Sequence, residues 1–117
     1  MKKILIVDDS LFMRKVLSGI LSDKYKVSEA VNGHGIVDKF QKEKPDLVLL
    51  DVVMPEVDGV KTLKLLMEAD SNVKVLMVTA VGQDSIIEEC KKIGAKDYVI
   101  KPFDANVINS KIKEYLQ

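Results

Sequence analysis

The chain has 117 residues, of which 47% are hydrophobic and 31% are charged. This length predicts one domain with a self-sufficient core, and the composition excludes an intrinsically disordered chain. Its 18 basic and 18 acidic residues give a formal net charge of zero, which argues against a surface dedicated to nucleic acid or to an anionic membrane.

Apolar runs alternate with amphipathic segments from the start of the chain. Residues 3–7 predict a first strand, because apolar residues follow one another there without alternation. Asp9 or Ser10 is expected to cap the first helix. The apolar face of that helix comprises Leu11, Phe12, Val16, Leu17, Ile20 and Leu21. Residues 26–30 predict a weaker second strand at a sheet edge, and a second helix is expected over about 35–43.

The third strand is the most apolar part of the chain. Pro45 and Asp46 open it, and it ends at Asp51. Pro55 and Gly59 punctuate the following segment, which we interpret as a functional loop. The third helix then turns a set of apolar residues toward the core, namely Val60, Leu63, Leu66 and Met67.

The last elements repeat the same order. Residues 74–78 and 97–100 predict the fourth and fifth strands, Asp84 is expected to cap the helix between them, and Gly94 to end it. The last helix is expected over about 105–116. This alternation predicts an α/β fold, a (βα)5 flavodoxin-like doubly wound parallel sheet with strand order 2-1-3-4-5. We expect all 117 residues to form this one domain, without a linked output domain.

Polar side chains follow the apolar runs at the ends of four predicted strands. Asp8 and Asp9 follow the first strand, Asp51 the third, Thr79 the fourth and Lys101 the fifth. In an open parallel sheet, ligands bind outside the carboxyl ends of the strands. We therefore expect these residues to converge on one small site.

A site of this composition suits a metal ion and an anionic group. Three neighbouring carboxylates repel one another unless a cation neutralises them, and Mg²⁺ prefers carboxylate oxygens together with water and phosphate oxygens. The Asp51 carboxylate could then accept a phosphoryl group as an acyl phosphate. The Lys101 ammonium would offset negative charge, and the Thr79 hydroxyl would bond a phosphate oxygen.

Several short motifs lie at or beside these strand ends. They are Asp8-Asp9-Ser10, Asp51 with Met54-Pro55 and Asp58-Gly59, Thr79-Ala80, and residues 94–98 leading to Lys101-Pro102-Phe103. With these motifs the chain resembles the receiver domain of response regulators over essentially its whole length. Within that family it is most similar to the single-domain regulators of chemotaxis, through residues 10–14 and the aromatic Tyr98 and Phe103.

The resemblance implies roles for the acidic residues. Asp51 would be the phospho-acceptor. Asp9, Asp51 and the backbone carbonyl of Val53 would bind Mg²⁺ directly, and Asp8 would support the metal through water. The phosphoryl donor would be a phosphohistidine on a sensor histidine kinase. The protein would catalyse its own phosphorylation and dephosphorylation, with no external substrate turned over.

The resemblance also implies a phosphate-binding lysine and a switch. Lys101 would bind the phosphoryl group, and its peptide bond to Pro102 would be cis. Thr79 and Tyr98 would form the switch pair, with Thr79 moving to the phosphoryl group and Tyr98 swinging inward. Val81 and the side chain of Val53 match positions that tune the lifetime of the acyl phosphate; both are apolar, so we expect slow self-dephosphorylation.

Strand alternation places Tyr98 and Ile100 on one face of the fifth strand, beside the fourth helix. We expect a shallow patch there that receives a short peptide or helix of a partner. The fourth helix offers Ile86 or Ile87 to this patch, and the predicted residues are Ile87, Tyr98, Ile100, Phe103 and Lys111. The resemblance implies that helix 4, strand 5 and helix 5 form the output face, with a target on the flagellar or archaellar motor side or another protein. We expect the protein itself to be a monomer.

Two further residues of the first helix allow less specific expectations. We expect Phe12 to lie in the core. Arg14, the only arginine, could lie over the acidic residues or hold a partner, and we expect a solvated helix face instead.

Cys90 has no second cysteine for an internal disulfide, and no apolar run approaches membrane length. A cytoplasmic protein without membrane insertion or nucleic-acid binding is therefore expected.

Other functions remain open at the level of sequence. A phosphorelay intermediate would pass its phosphoryl group to a histidine phosphotransferase. A phosphohydrolase of the haloacid dehalogenase type also uses an aspartate nucleophile, but it needs a second aspartate where this chain has Val53. A flavin-binding electron carrier shares the expected fold, although Asp8 and Asp9 would repel the flavin phosphate. A receiver that is never phosphorylated is disfavoured, because no key residue is missing.

Overall fold

The computed structural model describes residues 1–52, 58–80 and 82–116. The strands are β1 (Lys3–Val7), β2 (Lys26–Ala30), β3 (Leu47–Asp51), β4 (Val75–Ala80) and β5 (Asp97–Lys101). The helices are α1 (Leu11–Leu21), α2 (Ile36–Glu43), α3 (Gly59–Ala69), α4 (Asp84–Ile93) and α5 (Ala105–Leu116). β4 and β5 extend past their predicted ends, so that Thr79 and Lys101 are the paired partners of Ile100 and Ala80.

The five strands form one parallel sheet in the order β2-β1-β3-β4-β5. The predicted fold class and strand order are confirmed, and β2 is an edge strand as expected. Val7 pairs with Leu50, and Asp51 pairs with Val78. This register brings the carboxyl ends of the three central strands together at one edge of the sheet.

Helices cover both faces of the sheet. On one face, buried residues of α2, α3 and α4 pack on side chains that include Val48, Leu50 and Met77. On the other face, α1 and α5 pack on side chains that include Leu49, Val78 and Val99. Because strand side chains alternate between faces, strands covered on both sides are apolar at successive positions.

Polar side chains fix two helix starts. Ser10, rather than Asp9, caps α1 by accepting a hydrogen bond from the Met13 amide. Asp58 caps α3 in the same way through the Lys61 amide. The predicted cap at Asp84 is wrong, because Asp84 is the first helical residue of α4 and follows Gln83. Its charge there still complements the amino end of the helix.

The predicted core positions at the start of α1 are wrong. Leu11 is 60% exposed and Phe12 75% exposed. Successive helical residues are about 100° apart, so the buried stripe through Met13, Leu17 and Leu21 leaves both side chains outside the core. No helix among the described residues is long and apolar enough to cross a membrane.

Candidate functional site

Three carboxylates meet at the carboxyl edge of the sheet. Asp8 follows β1, Asp9 leads into α1, and Asp51 is the last residue of β3. One oxygen of each carboxylate lies within 4.8 Å of the others. Asp8 and Asp51 are buried, whereas Asp9 is exposed to solvent. The predicted convergence of the acidic residues is therefore observed.

An ammonium group reaches this cluster from the far strand. Nζ of Lys101, at the end of β5, lies 3.5 Å from Oδ1 of Asp51 and 3.6 Å from Oδ2 of Asp8. The Lys101–Pro102 peptide bond is cis, as expected. One cation therefore offsets charge on two buried carboxylates, although β4 separates β5 from β3.

The bonding of Asp8 leaves one of its oxygens facing the cluster. Its amide donates to the Ala30 carbonyl at 3.1 Å, and its Oδ1 accepts from the Ser10 amide at 2.8 Å. Oδ2 is buried and accepts no hydrogen bond from the part of the chain that the structure describes. The Lys101 ammonium offsets its charge from 3.6 Å, but a buried carboxylate oxygen without a hydrogen-bond donor is still costly. Asp8, Asp9 and Asp51 therefore fit a hard divalent cation such as Mg²⁺.

The predicted switch residues Thr79 and Tyr98 lie on the face of the sheet opposite to that of Lys101 and Asp51. Lys101 and Asp51 share the strand faces of Val99 and Leu49, toward α1 and α5. Thr79 shares the face of Met77, toward α3 and α4. It is 1% exposed, and its hydroxyl donates to the Ala80 carbonyl at 3.4 Å.

Tyr98, on β5, and Thr79, on β4, lie on the same face of the sheet. Tyr98 is half-buried against the apolar cluster under α4. Nζ of Lys91, on α4, lies 5.0 Å from the centroid of its ring. This geometry is that of a cation–π contact, so a charged side chain of α4 contacts the ring in its observed position.

A groove of about 390 Å³ runs along the outer edge of β5. Tyr98, Ile100, Phe103 and Lys111 of the predicted partner surface line it. The prediction that Ile87 belongs to this surface is wrong, because its side chain is only 5% exposed and lies on the buried side of α4 with Cys90. The spacing of three residues between Ile87 and Cys90 directs both inward.

Lys111 is already paired within the chain. Its Nζ lies 2.9 Å from Oδ2 of Asp97, which also accepts a hydrogen bond from the Tyr115 hydroxyl at 3.0 Å. Burial raises the pKa of Asp97, but the hydrogen bonds from Lys111, the Tyr98 amide and Tyr115 outweigh it and hold that pKa below its usual value. Burial and the contact with Asp97 raise the pKa of Tyr115 to about 12.

Two residues near the acidic cluster have roles that sequence reasoning missed. Arg14 is not on a solvated face, because its side chain is 13% exposed and bonded to Glu29 and to the Asp8 carbonyl. Gly59 packs on the backbone of β3, where a Cβ would collide with the Asp51 carbonyl and lie 2.7 Å from the Cα of Val52. The motif contained Gly59, but the close approach appears only in the fold.

Some predicted residues lie outside the described part of the chain. They are Val53, whose carbonyl was expected to bind metal, the neighbouring Met54 and Pro55, and Val81.

Comparison with known proteins agrees with this geometry. Residues 4–113 match the model of the response regulator receiver domain. Chemotaxis protein CheY of Listeria monocytogenes is 45% identical over 108 residues, which cover 91% of each protein. Sporulation initiation phosphotransferase F of Bacillus subtilis is 40% identical over 116 residues, covering 98% of this chain and 94% of that protein.

A solved structure shares the fold closely. The crystal structure of the CheX–CheY–BeF3–Mg complex from Borrelia burgdorferi matches with a TM-score of 0.90 and 33% identity. The match covers 97% of this chain and 87% of that one.

Proposed function

The chain belongs to the response regulator receiver domain family, and we propose that it is a phosphorylation-controlled switch in chemotaxis signalling. The observation that carries the proposal is the position of the Lys101 ammonium, 3.5 Å from Asp51 and 3.6 Å from Asp8 within a cluster of three carboxylates. This arrangement combines a nucleophile, a phosphate-binding cation and oxygen ligands for a metal.

Phosphorylation would form an acyl phosphate on Asp51. A carboxylate oxygen of Asp51 attacks the phosphorus of a phosphohistidine on a sensor kinase, and the bond from phosphorus to the imidazole nitrogen breaks. Its electron pair returns to the imidazole, which leaves neutral because its other nitrogen carries a proton. Lys101 pairs with the transferred oxygens. Mg²⁺, held by Asp9, Asp51 and the Val53 carbonyl, with Asp8 through water, would offset the negative charge of carboxylates and phosphoryl group.

The same site would lose its phosphoryl group to water slowly. Val53 and Val81 carry apolar side chains, which cannot orient an attacking water. The protein would therefore turn over no external substrate and would act through the lifetime of its phosphorylated state. Because the proposed phosphohistidine donor would be made with ATP, we propose that the switch works in the cytoplasm.

The response would pass through Thr79 and Tyr98. Among the described residues, the buried Thr79 hydroxyl has only a long contact of 3.4 Å to the Ala80 carbonyl, so a phosphoryl oxygen on Asp51 would offer it a better acceptor. Movement of Thr79 would make room on the face that it shares with Tyr98. Inward movement of Tyr98 would then reshape the groove along β5, which we propose receives a motor-side or other protein target.

The kinase would approach over the start of α1. Leu11 and Phe12 are large, exposed apolar residues that follow the acidic pair after Ser10, and such exposure marks binding surfaces. A helix bearing the phosphohistidine could pack on them and place its imidazole over Asp51. The Borrelia complex contains BeF3 and Mg together with CheX and CheY. It supports the proposal that members of this family have a phosphoryl site, a metal and a protein partner.

A phosphorelay intermediate is the second candidate. The match to sporulation initiation phosphotransferase F of Bacillus subtilis covers nearly the whole chain. Such a protein would return its phosphoryl group from Asp51 to a histidine of a phosphotransferase. The chemotaxis assignment is preferred because relatives that are 45% and 43% identical to this chain are chemotaxis proteins.

The deciding experiment uses acetyl phosphate as the phosphoryl donor. The wild type and Asp51→Asn are incubated with Mg²⁺ or with EDTA and measured by intact mass spectrometry. We expect one phosphoryl adduct in the wild type with Mg²⁺ and none in the other three samples. An unmodified wild type that binds Mg²⁺ would contradict the proposal, and steady release of phosphate over many turnovers would indicate a phosphohydrolase instead.

A further inference from the structure

Arg14 connects three elements around the acidic pair. It belongs to the first turns of α1, and its Nη1 donates to the backbone carbonyl of Asp8 at 2.7 Å. Its Nε donates to Oε1 of Glu29, on β2, at 3.0 Å. The guanidinium side chain is 13% exposed and that of Glu29 is 30% exposed. The contacts are therefore largely shielded from solvent, where hydrogen bonds to charged groups are strongest.

The Arg14 contact completes the restraint of Asp8. The amide, Oδ1 and carbonyl of Asp8 are bonded to Ala30, Ser10 and Arg14 respectively. Within the described part of the chain, Oδ2 is the Asp8 oxygen that lacks a hydrogen-bond donor, and it faces the carboxylate cluster and Lys101. The carbonyl of Asp8 also belongs to the peptide group that contains the Asp9 amide. A hydrogen bond that fixes this peptide plane therefore fixes the direction in which the exposed Asp9 side chain leaves the backbone.

We infer that Arg14 is a positioning residue for the metal-binding carboxylates Asp8 and Asp9, and that Glu29 orients it. The inference rests on the proposed Mg²⁺ site. The planar guanidinium serves the two acceptors with different nitrogens in fixed directions, which a lysine cannot do. Glu29 also neutralises a positive charge that would otherwise repel a divalent cation.

The sign of the effect separates positioning from simple electrostatics. Removing a positive charge near the carboxylates should strengthen Mg²⁺ binding if charge alone matters. Removing a group that holds metal ligands in place should weaken it, and losses of about 10–100-fold are typical for such groups. We therefore expect the loss of Arg14 to weaken Mg²⁺ binding about tenfold, against the electrostatic trend.

The test compares Arg14→Met, which keeps the aliphatic stem, with Lys15→Ala, which removes a charge from the exposed neighbouring position. Isothermal titration gives the Mg²⁺ dissociation constant, and thermal unfolding in EDTA establishes that each variant is folded. We expect weaker binding in Arg14→Met and unchanged or tighter binding in Lys15→Ala. Binding in folded Arg14→Met that equals or exceeds the wild type would overturn the inference.

Two further measurements keep the inference testable. Arg14→Lys conserves charge but has one donor nitrogen, which should pair with Glu29 and leave the Asp8 carbonyl unbonded, so its binding should also weaken several-fold. Equal binding in folded Arg14→Lys would contradict positioning. In EDTA, the NMR signal of the Asp9 amide should shift in Arg14→Met and not in Lys15→Ala. An unshifted signal in Arg14→Met would count against the inference, whether or not the wild type binds Mg²⁺. Failure of the wild type to bind Mg²⁺ would refute only the proposed metal site.

Discussion

The ammonium nitrogen of Lys101 lies 3.5 Å from Oδ1 of Asp51, although 50 positions separate the two residues in the chain. The same nitrogen lies 3.6 Å from Oδ2 of Asp8. A single lysine thus offsets charge in a cluster to which Mg²⁺ would bring two further positive charges.

Lys101→Met should therefore affect the metal and the reaction in opposite directions. Without the ammonium, the carboxylates attract Mg²⁺ more strongly, so the Mg²⁺ dissociation constant should fall several-fold. Phosphorylation by acetyl phosphate should slow by at least about tenfold, because a group that stabilises transferred charge is missing. Titration calorimetry and mass spectrometry measure the two effects. Weaker Mg²⁺ binding in a folded variant would contradict the charge-balance account.

Mg²⁺ should stabilise the folded protein by relieving repulsion within the carboxylate cluster. At one hundred times its dissociation constant, the ion should add about 2.7 kcal/mol to the free energy of unfolding. Denaturant titration in Mg²⁺ and in EDTA measures the difference. Asp9→Asn should remove most of the effect, whereas Asp23→Asn, an exposed residue in the loop after α1, should not. Equal stabilisation of both variants would place the ion elsewhere.

Gly59→Ala should destabilise the protein because its Cβ has no space beside Asp51 and Val52. Overpacking against backbone costs about 1–3 kcal/mol or more, and we expect at least this loss together with slower phosphorylation of Asp51. Gly19→Ala is the matched control, since nothing lies within 4 Å of its added Cβ. It should stabilise α1 by about 0.5–1 kcal/mol. Similar denaturation midpoints for the two variants would refute the steric argument.

The contacts around Asp97 predict pH dependence at both ends of the scale. The lowered pKa of Asp97 contributes stability that is present above its usual value of 3.8 and is lost as the pH falls through the lower folded value. The raised pKa of Tyr115 contributes stability that is present below pH 10 and is lost as the pH rises toward about 12.

Thermal unfolding against pH can separate these two contributions. Asp97→Asn should flatten the acidic limb relative to the wild type, and it should also reduce the alkaline loss because Tyr115 would face no carboxylate. Tyr115→Phe should reduce the alkaline loss most, since no phenol remains to ionise. A wild-type alkaline limb that persists unchanged in Tyr115→Phe would show that other groups cause it.

Lys91→Ala should release the ring of Tyr98. A partly exposed cation–π contact is worth about 0.5–1 kcal/mol, which corresponds to about two- to fivefold in the equilibrium between ring positions. Fluorine NMR of fluorotyrosine-labelled protein should report a shifted and broadened Tyr98 signal. Lys92→Ala is the control, because that exposed lysine is the next residue of the same helix. An identical Tyr98 signal in both variants would exclude the contact as a restraint.

The strands and the central site were predictable because both depend on local patterns, and the strand order followed from the fold class that the alternation of strands and helices indicates. Unbroken apolar runs indicate strands covered on both faces, and polar residues directly after them must meet at one edge. Asp51 and Lys101 could therefore be placed together without coordinates. Ile87 could not be placed, because neighbouring isoleucines at 86 and 87 satisfy a helical pattern equally well. The exact rotation of α4 on the sheet decides which of them is buried.

Longer-range contacts explain the other differences. Hydrophobicity alone predicts Phe12 in the core, whereas the rotation of α1 is set by Met13, Leu17 and Leu21 packing on the sheet. The sequence predicts a solvated Arg14, because no local pattern indicates that Glu29 of a neighbouring strand lies within reach. Both errors concern the pairing of one element with another.

Lys101 and Tyr98 belong to the same edge strand and point to opposite sides of it. β5 has a hydrogen-bonded neighbour only in β4 within the described sheet, so it can tilt with less resistance than a central strand. A displacement of the Lys101 side chain on one face would therefore tilt β5 and move Tyr98 on the other face. Amide hydrogen exchange along β5, before and after phosphorylation, would show whether movement of this strand couples Lys101 to Tyr98.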